Sequence, residues 1–305
     1  MSKKLATIMA VLVTAAWGSS FILMKNVAAD VPALGFLTLR FGMAGVILSF
    51  IFCRQLCRFN KKTVLQSFIL GALLSGYMIF QVLGLRDENM SASNSAFITS
   101  LSVLIVPFLS AFLLKKSPSL SNWVGVVLAI LGLVFVTGVY QGIGALTMGD
   151  LLTFLCALCV AVHIIVADKF LKESDPLLLG IGQIVAAFVL SLIAWSIQSP
   201  GGFMAVDYTQ TLILAIVLTA VFCTSFAFTG QIVVQKYLSP ARVAVIFTLE
   251  PVFAYLYALV IPGPTGTTEA LTWFNVLGSL LILGGMIISE SGLLSRKNDM
   301  ILERM

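Results

Sequence analysis

Three ionisable residues lie deep within long apolar stretches of this sequence. Glu250 directly precedes Pro251, Arg40 lies inside another stretch, and His163 is the only histidine of the chain. A charged side chain at mid-bilayer costs about 2.5–3.5 kcal/mol on insertion scales, so such residues are candidates for binding or coupling. For Glu250 two interpretations stay open. In the first, its carboxylate exchanges protons or binds the ammonium group of a substrate. In the second, it is a structural group bonded to a neighbouring helix.

Arg40 and Glu250 are predicted to lie at similar depths in the bilayer. At 1.5 Å per residue they lie roughly 10 Å and 16 Å from the same membrane face. The sequence therefore predicts a buried ion pair, in which each group neutralises the other. The alternative is that the planar guanidinium of Arg40 binds a carboxylate of a solute.

His163 and two prolines are the next candidates. An imidazole titrates near neutral pH and suits proton exchange, but a lone histidine on an apolar helix is more often a packing residue. Pro107 and Pro251 each remove a backbone hydrogen bond and crowd the carbonyl four residues earlier. Freed carbonyls at membrane depth need protein or water partners. Both prolines are therefore predicted to line a cavity and act as hinges, the alternative being static bends.

A further set of aromatic and amide side chains could line such a cavity. Rings enclose organic solutes, and amides both donate and accept hydrogen bonds. The chain has five cysteines, and Cys156-x-x-Cys159 lies inside an apolar helix, which favours packing over a redox or metal site. No metal or cofactor is expected. The lining candidates are Trp17, Tyr77, Gln81, Asn94, Phe97 and Gln231.

Ten apolar stretches position these residues. Of the 305 residues, 10% are charged and 59% hydrophobic, and a membrane-spanning helix needs about 20 apolar residues. The first stretch is longer than the core of a signal peptide, so it is expected to be a retained helix. The pattern predicts an all-α integral membrane protein without a soluble domain. The predicted spans are 5–27, 33–53, 64–85, 92–114, 121–139, 150–168, 177–197, 209–232, 240–261 and 272–290.

The placement of Lys and Arg predicts the orientation. With the amino terminus inside, most of the 18 Lys and Arg residues lie on the inner side, and Arg86 lies in an outer loop. Cytoplasmic loops carry such an excess, so both termini are expected in the cytoplasm. The net charge of +5 is interpreted as orientation and lipid contact, not nucleic-acid binding.

A weak internal repeat divides the chain in two. An offset of 144 residues places Pro107 on Pro251, as an ancient duplication would. Five spans per half, an odd number, would turn the second copy upside down, as in many secondary transporters. The predicted units are 1–145, an inverted copy at 146–291 and a cytoplasmic tail at 292–305.

Several motifs, taken in order, resemble a known family. They are similar to the EamA-type branch of the drug/metabolite transporter superfamily, over nearly the whole chain. The resemblance implies two inverted five-helix halves around a central cavity lined by helices one, three, four, six, eight and nine, with helix two at its periphery. The motifs are AAWGSSFILMK (15–25), LTLRFGMAG (37–45), SASNSAFITSLSVLIVPF (91–108), LSPARVAVIFTLEPVFA (238–254) and GSLLILGGMIISE (278–290).

The resemblance also implies a function. Family members are bacterial inner-membrane carriers, mostly exporters of amino acids and related metabolites. GxxxxGK[ST] is absent, so the leading hypothesis is a secondary transporter driven by the substrate gradient or by proton exchange. Uptake of an amine or another metabolite is the alternative. With no HExxH and no GxSxG, an intramembrane enzyme is not expected, nor is a mere scaffold. The expected partners are a small-molecule substrate, the lipid bilayer and protons, and the carrier is a monomer or homodimer.

Overall fold

The computed structural model describes residues 1–27, 30–87, 90, 92–115, 118–136, 147–199, 202–263, 266–268 and 270–291. Within these ranges the chain is helical and contains no strand. In the same ranges, eight helices are long and apolar enough to cross a membrane. Two of the predicted spans correspond to helices that are apolar but shorter, Leu120–Phe135 and Trp273–Ser289. The protein is therefore a multi-pass membrane protein.

The first part of the chain forms helices α1 to α7. Polar side chains fix where several begin: Ser2 accepts a hydrogen bond from the amide of Leu5, and Asn60 accepts one from Thr63. The predicted span 92–114 is divided at Leu101 into two helices. The bounds are Lys3–Asn26 (α1), Ala33–Ile51 (α2), Cys53–Leu56 (α3), Lys61–Leu85 (α4), Ala92–Ser100 (α5), Ser102–Leu114 (α6) and Leu120–Val136 (α7).

The second part forms α8 to α14. Thr147 and Asp150 close a reciprocal capping box before the first of them, and Asp175 caps the next, whose first residue is Pro176. A short 3₁₀ helix covers Gly202–Ala205. The bounds are Met148–Phe170 (α8), Pro176–Gln198 (α9), Gln210–Leu218 (α10), a π-helical segment Thr219–Phe226, Ala227–Gln235 (α11), Pro240–Phe247 (α12), Glu250–Ala258 (α13) and Trp273–Ser291 (α14).

Helices α7 and α14 pack closely against each other. A β-carbon built on Gly132 would lie 2.5 Å from the carbonyl oxygen of Gly278, and one on Gly125 would lie 2.8 Å from that of Gly285. Side chains at these positions would hold the backbones apart, so the glycines let the two helices pack directly.

The remaining long helices pack across the two parts of the chain. Helix α1 contacts α11 and α13, and α8 contacts α4 and α6. Helix α9 packs against both α2 and α4, and α2 also contacts the π-helical segment. The breaks between α5 and α6 and between α12 and α13 therefore face the middle of the protein, where the candidate site lies.

Candidate functional site

A cavity of ≈ 40 Å³ lies among α1, α2, α4, α8, α11 and the two broken helices, α5–α6 and α12–α13. On this measure one water molecule needs about 10–15 Å³. The cavity therefore has room for a few waters and not for an organic solute, and a metabolite could enter only after the surrounding helices move apart.

Six of the residues predicted from the sequence line this cavity. They come from five different helices, which no local pattern could have brought together. Arg40 lies on α2, the counterpart of helix two, and its position in the lining corrects the expectation that this helix stays at the periphery. The six are Trp17, Arg40, Tyr77, Gln81, Gln231 and Glu250.

Arg40 is held by neutral acceptors on two neighbouring elements. Its side chain is 1% exposed. Nε donates to Oγ1 of Thr224 at 2.6 Å, and Nη2 donates to the carbonyl oxygen of Cys223 at 3.3 Å. Nη1 donates to Oγ of Ser20 at 3.2 Å and contacts Sδ of Met24 at 3.5 Å. These bonds satisfy most of the guanidinium donors, and its central carbon lies 5.7 Å from the centroid of the Phe228 ring, but within the described chain no carboxylate pairs with it.

Glu250 faces the same cavity from the first turn of α13. Its side chain is half-buried, and among the residues the structure describes no hydrogen bond or ion pair holds its carboxylate. In that part of the chain, the pairs within 4.0 Å join Arg58 to Asp175 and Lys62 to Glu173. The predicted ion pair between Arg40 and Glu250 is therefore absent from the described part of the chain.

Aromatic rings form much of the remaining wall. The ring of Trp17 lies 4.9 Å from that of Phe247 and 5.3 Å from that of Phe228, and Tyr77 lies 6.2 Å from Phe228. The indole Nε1 of Trp17 donates to the carbonyl oxygen of Cys223 at 3.2 Å. Phe228 and Phe247 lie in membrane-spanning helices, where the residue type alone does not separate a ring in the cavity from one in lipid.

Three hydroxyl and amide groups in the wall have no hydrogen-bond partner within the described chain. They are Oγ1 of Thr99, Oγ of Ser100 and Oε1 of Gln231, all buried. Buried polar atoms normally find partners, so these groups are available to water or to a polar solute. Thr99 and Ser100 were not predicted; they lie at the end of α5, beside a break that the sequence does not mark.

His163 lies behind the wall and does not line the cavity. It is fully buried, with Nε2 2.8 Å from Oε1 of Gln183, whose Nε2 donates to the carbonyl oxygen of Phe228 at 3.2 Å. The edge of its ring contacts Tyr77, 5.7 Å between centroids. His163 therefore reaches the cavity only through these neighbours, and its role in proton exchange stays a prediction.

The other predicted residues have different surroundings. Phe97 is half-buried and packs against the apolar core without lining the cavity. The side chain of Asn94 lies outside the described residues. Pro251 lies in the first turn of α13, where its missing N–H is not needed, whereas Pro107 lies inside α6, six residues beyond the break at Leu101. Their action as hinges stays a prediction.

Two lysine side chains join the ends of neighbouring helices. Lys25 donates to the carbonyl oxygens of Leu85 and Asp87 at 2.8 and 3.1 Å, and Lys236 donates to that of Leu171 at 2.6 Å. Lysine side chains bound to the last carbonyls of a helix are favourable partners of its negative end.

An exposed ion pair joins Lys62 to Glu173, which lies in the loop between α8 and α9. Hydrogen bonding and charge attraction from Lys62 lower the pKa of the exposed Glu173 carboxyl. An exposed pair of this kind contributes little to stability. It differs from the cavity charges in being freely solvated, which makes Glu173 a useful control position.

Comparison with known proteins gives consistent matches over the whole chain. The model of the EamA-like transporter family matches residues 4–138 and 147–290. An uncharacterized transporter of Archaeoglobus fulgidus is 32% identical over 279 residues, covering 91% of this chain and 83% of that protein. The uncharacterized transporter YoaV of Bacillus subtilis is 23% identical over 290 residues, covering 93% and 96%. One crystal structure shares the fold with a TM-score of 0.77 at 20% identity, covering 97% of this chain and 99% of the other.

Proposed function

The chain belongs to the EamA-like transporter family, and we propose that this membrane transporter is a secondary carrier that exports an amino acid or a similar small metabolite across the bacterial inner membrane. The observation that carries the proposal is that Arg40 and Glu250, two side chains that can carry opposite charges, line one cavity with no ion pair between them in the described chain. Uncompensated buried charges are unfavourable. A substrate that brings both counter-charges would relieve them.

An amino acid fits this chemistry at both ends. Its carboxylate is a natural partner for the guanidinium of Arg40, and its ammonium group is one for the carboxylate of Glu250. The unpartnered groups of Ser100 and Gln231 add hydrogen bonds, and the aromatic wall beside Trp17 accommodates an apolar side chain. An amine or a monocarboxylate would leave one of the two charges uncompensated.

We propose that the body consists of two inverted five-helix halves, 1–145 and 146–291, that together provide ten spans. The family model matches twice, once in each half. The helix contacts are also matched between the halves. If α1 corresponds to α8 and α6 to α13, the contact of α1 with α13 corresponds to that of α8 with α6. If α2 corresponds to α9 and α4 to the helix that contains the π-helical segment, the contact of α4 with α9 corresponds to that of this segment with α2. A two-fold axis that relates the two halves would produce such matched contacts.

The transport cycle is proposed to widen the cavity from each side in turn. Discontinuous helices near the middle of the membrane are typical of secondary transporters, and the breaks at Leu101 and at Thr248 border the cavity. Pro107 and Pro251 lie close to these breaks and would act as hinges. The lysine contacts at the helix ends, Lys25 and Lys236, would open alternately.

Orientation and coupling complete the proposal. The excess of Lys and Arg on one side supports cytoplasmic termini, and the resemblance to a family rich in exporters supports outward transport. A carboxylate that faces water-filled space without a fixed partner can take up and release protons, so Glu250 is the coupling residue in a proton exchange. The imidazole of His163 would support that exchange through Tyr77.

Glu250→Gln is expected to lower export by at least about tenfold, because the amide keeps the shape of the side chain but has neither its charge nor its proton. Wild type and variant are expressed at matched membrane levels, and small metabolites that accumulate outside the cells are quantified. Glu173→Gln makes the same chemical change on the exposed loop and is expected to export normally.

Each other outcome of this experiment has a definite meaning. Equal release by wild type and Glu250→Gln would keep the exporter and make Glu250 a structural residue. If wild-type cells release no more than cells without the protein, the export proposal fails, and uptake of labelled amines and metabolites becomes the test.

A further inference from the structure

A π-helical segment interrupts the long helix Gln210–Gln235 at the level of the cavity. In a regular α-helix the amide of Ala227 would bond to the carbonyl of Cys223, four residues earlier. Here it bonds to the carbonyl of Phe222, five residues earlier, and to that of Thr224, three residues earlier. Such segments are rare and frequently lie at functional sites. The shift releases the Cys223 carbonyl from its usual α-helical donor.

Cavity residues donate hydrogen bonds both to the Cys223 carbonyl oxygen and to the hydroxyl of the next residue, Thr224. Cys223 O accepts from Nε1 of Trp17 and from Nη2 of Arg40, on two different helices. Oγ1 of Thr224 accepts from Nε of Arg40 at 2.6 Å and donates to the carbonyl oxygen of Thr219 at 2.9 Å. The Thr224 hydroxyl is thus itself fixed in direction by the segment.

These acceptors determine which way the guanidinium faces. An arginine has five N–H donors, and within the described chain four of them point to Thr224, Cys223, Ser20 and Met24. The remaining N–H, on Nη2, is left for the cavity that Arg40 lines. The geometry orients a bonding edge and a positive charge toward the place where a substrate would bind.

We propose that Thr224, assisted by the Cys223 carbonyl, is a positioning residue that holds Arg40 against the π-helical segment and out of an ion pair with Glu250. The inference rests on the proposed function, since it assumes that both charges meet a substrate. Opposite charges attract strongly in a medium of low dielectric constant, and both side chains border the same small cavity. Without the anchor they would neutralise each other and leave neither charge for the substrate.

Two substitutions at position 224 separate the hydroxyl from the volume of the side chain. Thr224→Val keeps the branched shape and removes the acceptor, whereas Thr224→Ser keeps the acceptor. Thr219→Val is the matched control, because it makes the same change in the same segment at a hydroxyl that bonds only to its own helix, at Ala215 and Ile216. Melting temperatures in detergent identify any variant that fails to fold.

The first measurement needs no substrate. Protein labelled with ¹⁵N-arginine is purified, and the Nε–H signal of Arg40 is assigned from its loss in Arg40→Lys. In wild type, Thr224→Ser and Thr219→Val the signal should be protected from exchange with water, because Nε–H is bonded and buried. In Thr224→Val the protection should fall by at least about tenfold, as expected when a bond to a charged group is lost.

The second measurement uses proteoliposomes and each of the twenty radiolabelled proteinogenic amino acids in counterflow. For an amino acid carried by wild type, Thr224→Val should raise KM by about tenfold with a smaller change in kcat, and Thr224→Ser should restore it. In a Glu250→Gln background, where no ion pair can form, Thr224→Val should have little additional effect on binding of that amino acid, measured as its shift of the melting temperature.

The two arms separate failure of this inference from failure of the proposed function. Unchanged protection of the Arg40 signal in Thr224→Val, or equal loss in Thr224→Ser, would overturn the positioning role whatever is transported. Loss of protection in Thr224→Val alone supports it. Absence of counterflow for every amino acid would contradict the proposed substrate class and leave the spectroscopic result to decide the role of Thr224.

Discussion

Arg40→Met is expected to lower kcat/KM for the exported metabolite by roughly a hundredfold. Methionine fills a similar volume but cannot donate hydrogen bonds, and a hydrogen bond to a charged group contributes about 1.5–3 kcal/mol. Removal of Arg40 also leaves the hydroxyls of Ser20 and Thr224 without this donor, while the carbonyl of Cys223 keeps its bond from Trp17. Glu250 then remains as the one charge of the cavity, and a substrate carboxylate has no partner. The rate is measured by counterflow in proteoliposomes at matched protein content.

Two further variants define what the arginine contributes. Arg40→Lys keeps the charge but loses the planar fork, so it should restore transport only in part. Arg58→Met removes an arginine whose exposed ion pair with Asp175 contributes little, and it should transport normally. Full activity of Arg40→Met would show that the guanidinium does not meet the substrate, and the charge-based proposal for the cavity would have to be abandoned.

Gly132→Val is expected to destabilise the protein by about 3 kcal/mol or more, at or above the upper range for overpacking a core. A β-carbon at this position would lie 2.5 Å from the carbonyl oxygen of Gly278 and 2.6 Å from Cγ1 of Ile282. A backbone atom cannot move aside as a flexible side chain can, so α7 and α14 must separate. The measurement is the melting temperature of the purified protein in detergent, which should fall by several degrees.

Gly284→Val is the matched control on α14. It makes the same substitution within the same helix pair, but a β-carbon there meets nothing within 4 Å. Both variants therefore share any effect of valine on helix propensity, and only Gly132→Val adds the clash. If both lower the melting temperature equally, close packing of the two helices is not what stabilises this interface.

Much of the fold follows from the sequence because the bilayer imposes one length and one polarity on each span. The span predicted at 5–27 is observed as Lys3–Asn26, and that at 177–197 as Pro176–Gln198. Membership of the EamA-like family is confirmed by the family match.

The candidate site was only partly predictable, for a physical reason. Charge and polarity identify which residues are costly in a membrane, but a uniformly apolar helix does not reveal which of its faces points inward. Arg40 and His163 illustrate this: the first, expected at the periphery, lines the cavity, and the second lies behind its wall. The role of Thr224 depends on the π-helical segment, and Thr219–Phe226 reads like any other apolar helix.

The broken helices show the same limit. A proline predicts that a helix is disturbed nearby, and Pro251 does lie at the break before α13. In the first half, however, the chain breaks at Leu101, and Pro107 is accommodated within α6. The position of a break depends on which carbonyls neighbouring helices can satisfy, and that is a property of the packed protein.

Because the cavity is small, the apparent affinity of this transporter for its substrate depends on how often the surrounding helices move apart. A substrate binds only to the fraction of molecules whose helices have moved apart. The apparent dissociation constant is therefore the intrinsic constant divided by that fraction. If about one molecule in a hundred is widened, apparent affinity is about a hundredfold weaker than the contacts alone would give. A carrier of this kind needs a high substrate concentration before transport becomes fast. If the protein exports a metabolite as proposed, the closed cavity around Trp17 would make export respond to accumulation of that metabolite.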